Sequence, residues 1–167
     1  MPAVPFASLP GSARVWIFAA DHPLTGAPAA QLLAHVDEYL AHWQAHGHAL
    51  TCARDWRHDR FLAIAVDQTD AFASGCSIDG LFRALQSLQK SLGTTLVGGS
   101  RVHYRDAGGA IRSVTRDQFS ALGATGGVDD NTLVFDSTVA TAGEWRERFE
   151  TQLRRAWHKD LVTNDRK

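Results

Sequence analysis

Residues 14–20, RVWIFAA, carry apolar side chains at both parities. That pattern belongs to a strand covered on both faces. A turn follows, and Pro28 suits the first turn of a helix. At about 100° per residue, Leu32, Val36, Tyr39, Leu40 and Trp43 fall within one apolar arc. The pattern predicts a helix to about His46, with Gly47 as its left-handed cap. Residues 49–56 then alternate, with Leu50, Cys52 and Trp56 on one parity. The polar stretch RHDR (57–60) turns the chain into residues 61–66, FLAIAV, apolar at both parities. Together they read as a β-hairpin. A loop over residues 67–76 precedes a second helix whose face is Ile78, Leu81, Phe82, Leu85, Leu88 and Leu92, stopped by Gly93. Residues 101–105 and 111–114 read as two short strands of another hairpin.

To Arg105 the order is β-α-β-β-α-β, the order of the ferredoxin-like unit. In that fold the first and third strands are central, and here those are the two continuously apolar ones. The expected class is α+β: a ferredoxin-like βαββαβ antiparallel sheet with a C-terminal β-α-β-α extension. The chain reads as a single domain. Residues 1–13, with Pro2, Pro5 and Pro10, form an extended lead-in, 14–106 the ferredoxin-like unit, 107–161 the extension, and 162–167 a frayed tail. In the extension, Thr115 and Gln118 have capping-box spacing, and residues 132–139 read as a strand. Thr141 and Glu144 repeat the box and open a helix bearing Trp145, Phe149, Leu153, Ala156 and Trp157. Val15 and Ile17 point one way from the first strand, and Trp16 and Phe18 the other. Exposed apolar area costs about 25 cal/mol per Å², so the second sheet face needs a cover. The extension is expected to supply it; a homodimer is the competing solution.

The longest apolar runs, 15–20 and 61–66, are six residues each, against the roughly 20 that a spanning helix needs. No membrane segment is expected, and the opening MPAVPFASLPGS has no signal-peptide pattern. Two cysteines, Cys52 and Cys76, do not make a disulfide framework. The expected location is cytoplasmic, with both thiols reduced. Fourteen arginines and three lysines face 18 acidic residues, for a net charge of −1. On the C-terminal segment Arg146, Arg148, Arg154, Arg155 and Lys159 are interleaved with Glu144, Glu147, Glu150 and Asp160. Neither the balance nor the interleaving suits a nucleic-acid surface.

Five stretches carry a resemblance: VWIF at 15–18, WQAHGHAL at 43–50, ASGCSID at 73–79, TLVFD at 132–136, and the Trp157–His158 pair. They resemble a small uncharacterised bacterial family whose members are sometimes labelled "ABC transporter ATPase". The SGCSID string is the most specific part. The label fails on the residues themselves. A P-loop needs G-x-x-x-x-G-K-[ST], whose amides and lysine hold the phosphates. Lys90 alone is followed by Ser, and it has Gln89 before it and Ala84 where the first glycine belongs.

The chemistry-bearing candidate is Ser74-Gly75-Cys76-Ser77-Ile78-Asp79, between an inner strand and a helix start. Free amides and the helix dipole there attract anions and favour thiolate at Cys76. Ser74, Gly75 and Ser77 would line a site for a small anionic ligand. Ser77 is the expected helix cap, with Asp79 in the first turn, where its charge opposes thiolate formation. A thiol mechanism needs a base. His46, His48, His58 and His103 are the imidazoles available, and His46 is the one chosen beside Cys76 and Asp79. The competing reading makes the motif a structural corner: a cap, a dipole partner and a small buried cysteine. His35, His42 and His46 would share a stripe on the first helix, His42 and His46 each about 20° to either side of His35 at 100° per residue. It lacks HExxH and reads as a solvated boundary, so neither metal nor cofactor is expected.

Overall fold

The structure is a computed structural model and describes residues 3–163. It is α+β with antiparallel sheets, and it divides into two compact units. One comprises Met1–Gly99 and Val139–Arg146, the other Ser100–Thr138 and Glu147–Lys167. No helix among the described residues is long and apolar enough to cross a membrane.

The first unit holds β1 (Arg14–Ala19), α1 (Gly26–Ala41), β2 (Gln44–Ala45), β3 (His48–Ala49), β4 (Cys52–Arg57), β5 (Phe61–Val66) and α2 (Gly75–Leu92). Its sheet has the order β1-β5-β4, antiparallel throughout, with Trp16 opposite Ile64 and Arg54 opposite Ile64 from the other side. All six residues of β5 are buried, as its unbroken apolar run requires of a central strand. On one face Phe18, Cys52, Leu62, Ile64 and Val66 pack with Leu32, Val36 and Leu40 of α1 and Leu81 and Leu85 of α2. Helix α2 ends at Gly93, whose φ of 65° is the left-handed cap expected of it.

The ferredoxin-like order stops at three strands. Val102–Arg105, the expected fourth strand, pairs elsewhere. The free edge of β1 instead meets residues 140–141: the Val15 amide donates to Ala140 O at 2.8 Å, and Arg14 bridges Thr141. The second face of this sheet, bearing Val15, Ala53, Asp55, Ala63 and Ala65, is closed within the chain. Trp145 of α4 (Ala142–Arg148) reaches it, fully buried, and Gly143 N–H bonds to Gly11 O at 2.9 Å. The lead-in also attaches, through Val4 N–H to Cys52 O at 2.9 Å.

The second unit has a four-stranded antiparallel sheet, β7-β6-β8-β9: β6 (Val102–Arg105), β7 (Ile111–Val114), β8 (Leu133–Phe135) and β9 (Glu150–Gln152). Helix α3 (Arg116–Thr125) opens with the capping box expected at Thr115 and Gln118, both bonds present. Helix α5 (Lys159–Thr163) packs on it, so Val162 lies in the core and does not fray. Residues 164–167 of the expected tail lie outside the described residues.

The long C-terminal helix expected from Trp145, Phe149, Leu153 and Ala156 is broken. It stops at Arg148; Glu150–Gln152 becomes an edge strand on β8, and Leu153–Arg155 a single 3-10 turn. Phe149 and Leu153 are four apart and share a parity, so the two are equally compatible with a helical face and with one face of a strand. Pairing with β8 decides between them.

Candidate functional site

Helix α1 ends at Ala41, five residues before the expected position, and Gly47 is not its cap. The chain instead folds into the small hairpin β2–β3, with Ala45 opposite His48. His46 and Gly47 form the two-residue turn, with φ of 51° and 78°. Positive φ at both positions is the requirement of the tightest hairpin turn, which glycine meets at no steric cost. Leu50 N–H closes the hairpin on Trp43 O at 3.0 Å. His46 is thereby lifted off the helix, and the three-histidine stripe does not form. His35 stays on α1 and His42 caps its end, each with its Nδ1 on the carbonyl four residues back.

At the start of α2 the cap is Ser74, not Ser77. Ser74 Oγ accepts from the Ser77 amide at 3.1 Å, and the Ser77 hydroxyl donates to Ser74 O at 2.8 Å. Trp43 Nε1–H donates to Ser77 O at 2.9 Å, tying the buried Ser77 to the end of α1. With Ser74 as cap, Gly75 and Cys76 occupy the first two helical positions, whose amides have no intrahelical acceptor. Gly75 has open space where a side chain would stand. Asp79 falls beyond the first turn, so it is not the dipole partner expected of it.

Cys76 is exposed, which corrects the reading of it as a small buried residue. The buried thiol is Cys52, fully enclosed, its Sγ 3.4 Å from Leu40 O, and burial pushes its pKa up to about 12.

Ser74, Cys76 and Ser77 line a cleft of about 450 Å³ whose other wall is Tyr39, His42, Trp43, Gln44 and His46. A neighbouring hollow of about 590 Å³ shares Ser74 and His46 and adds His48, Asp70 and the exposed Phe72. Of the expected site residues, the fold therefore gathers Ser74, Cys76, Ser77 and His46 at one cleft, with Gly75 between them in sequence. It does not bring Asp79, His58 or His103 to the cleft lining. His42 was legible as a histidine but not as a site residue, because the turn that brings the α2 start against it is non-local. Tyr39, Trp43 and Gln44 carried no chemical signal of their own.

The cleft is thus lined by two exposed imidazoles and a thiol at a helix start, groups of the kind that receive an anion. Among the described residues no group of three His, Cys, Asp or Glu side chains is placed to hold a metal ion. The chain matches no family model, no curated protein and no solved structure.

Proposed function

We propose that the cleft between the β2–β3 hairpin and the start of α2 binds a small anionic ligand and presents the Cys76 thiol to it. The observation that carries this reading is the exposure of Cys76 at the second position of α2, in the same cleft as His42 and His46. The anion would take the Gly75 and Cys76 amides at the positive end of the helix dipole. An imidazole across the cleft would accept the thiol proton, and the helix end would stabilise the thiolate that results.

One observation favours the competing reading of a non-catalytic module. Ser74 and Ser77 bond to each other and so complete a structural cap with no ligand present.

Alkylation by iodoacetamide separates the two. Cys52 is enclosed, so the native protein offers one thiol, and its rate is read with and without added anion. The ligand reading expects the alkylation to be slowed by millimolar inorganic phosphate or sulfate, the anions competing for the helix start beside the thiol. A rate indifferent to both anions would leave the motif as a structural corner.

A further inference from the structure

Helix α5 is five residues long, too short to hold its shape without docking. Its seat on α3 is specific. Val162 rests on Gly123 so closely that a Cβ there would come within 2.6 Å of Val162 Cγ1. A glycine inside a helix is unfavourable relative to alanine, so its presence at the contact serves the docking. The Ser120 hydroxyl donates to Leu161 O at 2.7 Å. Ahead of α5, His158 meets Phe119 edge-on at 6.2 Å and stacks on Trp157 at 4.1 Å.

His158 is 2% exposed, and its Nδ1 is buried with no hydrogen-bond partner in the protein. The charged groups facing it disagree. Arg116 of α3, whose guanidinium lies 5.0 Å over the Trp157 ring, opposes a proton on the imidazole. Asp136, after β8, favours one, but its oxygens are already engaged by the Thr138 amide and hydroxyl and by Arg148 of α4. Lys159 and Asp160 of α5 itself are exposed. Burial is the largest influence and pushes the imidazole down to about 4.

We propose that His158 makes α5 an acid-released latch: a proton on the imidazole frees residues 157–163 from α3 and bares the apolar seat of Phe119, Leu122 and Gly123. The docked form binds that proton only near pH 4, whereas a solvated histidine binds it near 6.5. Each pH unit between those values shifts the open-to-docked ratio about tenfold, and the whole interval about 300-fold.

The test is amide hydrogen exchange by NMR from pH 7.5 to 4.5, corrected for intrinsic exchange, together with the His158 ring titration. The Leu161 amide, bonded to His158 O at 3.0 Å, should lose protection about tenfold per pH unit below 6.5, while β5 amides keep theirs. His158→Gln should flatten that dependence. Gly123→Ala should unseat Val162, so that Leu161 is unprotected already at pH 7.5 and His158 titrates near 6.5. Three results would overturn the latch: Leu161 protection independent of pH, β5 amides lost in step with Leu161, or an unchanged slope in His158→Gln. If His158→Gln does not fold, a His158 titrating near 4 in Gly123→Ala would overturn it equally.

Discussion

The Trp145 indole N–H donates to Asp55 Oδ2 at 2.8 Å. Asp55 sits on the edge strand β4, opposite Ala63 on the second sheet face, and Trp145 is fully buried. Arg57, two residues along the same face, donates to Asp55 Oδ2 at 3.2 Å and to Trp145 O at 3.0 Å, with its guanidinium 4.2 Å over the indole ring. One carboxylate thus accepts from a neighbour on its own strand and from an indole 90 residues away, and the segment before Arg146 is fixed on the sheet by polar bonds as well as by area.

Asp55→Ala should therefore destabilise the protein by about 1–3 kcal/mol, the usual cost of a buried donor left without its acceptor. Trp145→Phe removes the donor as well as the bond and should cost less than the loss of the carboxylate. Urea unfolding followed by circular dichroism checks the order. Equal or reversed losses would mean that the contact is packing alone.

Ser74→Ala removes the side-chain acceptor of α2 and should cost about 1 kcal/mol. Ser74→Asp keeps the cap and should hold stability near the parent value. Its charge lies in the cleft, however, so it should slow Cys76 alkylation and weaken phosphate protection. A purely structural motif would leave the Cys76 rate indifferent to phosphate in both the parent and Ser74→Asp, whatever the added charge does to the rate itself.

The elements that local pattern specifies are the ones that were legible. The β4–β5 hairpin, helix α2 with its Gly93 stop and the Thr115–Gln118 cap each carry their signal within about a turn of chain. What escaped depends on partners far away in sequence. Val102–Arg105 alternates as an edge strand would, yet it lies inside its sheet between β7 and β8, and nothing in it says which sheet it joins. Residues 140–141 take the edge of β1 that it was expected to fill. His46-Gly47 is as good a helix end as a hairpin turn, and only Leu50 returning to Trp43 distinguishes them. The same ambiguity bears on the site. Ser74–Ser77 was visible as a helix start and His46 was the imidazole expected beside Cys76, but the hairpin turn that carries His46 was read as helix.

The two thiols should behave as different chemical classes. A disulfide-exchange reagent at pH 8 should titrate one thiol in the native protein and two in denaturant, with Cys76 the native one by peptide mapping. Cys52 also sets an alkaline limit. Its folded pKa of about 12 lies above the unfolded value of 9.0, so the folded state holds its proton more firmly. That contribution is full below pH 9 and declines as pH rises from 9 toward 12. Two thiols reacting at the native rate would mean that the β4 side of the core opens readily.

The acid limit belongs to His158 and has the opposite sign. Its folded pKa of about 4 lies below the ordinary 6.5, so the unfolded state takes up the proton first as pH falls. Stability is whole above pH 6.5 and declines through the interval down to 4. The decline approaches about 3 kcal/mol if the ring stays enclosed, since one unit is worth 1.36 kcal/mol. Undocking of α5 limits it, because a released imidazole is solvated and costs nothing further to charge. Asp21, bonded by Thr94 and lowered from 3.8, acts only below that value, so the two windows do not overlap. Chemical denaturation at half-unit steps from pH 7.5 to 4 should show the loss begin near 6.5 and level off before 4. His158→Gln should remove that limb and leave the fall below 4. A parent protein flat from 7.5 to 4.5 would mean that His158 already meets solvent in the folded state.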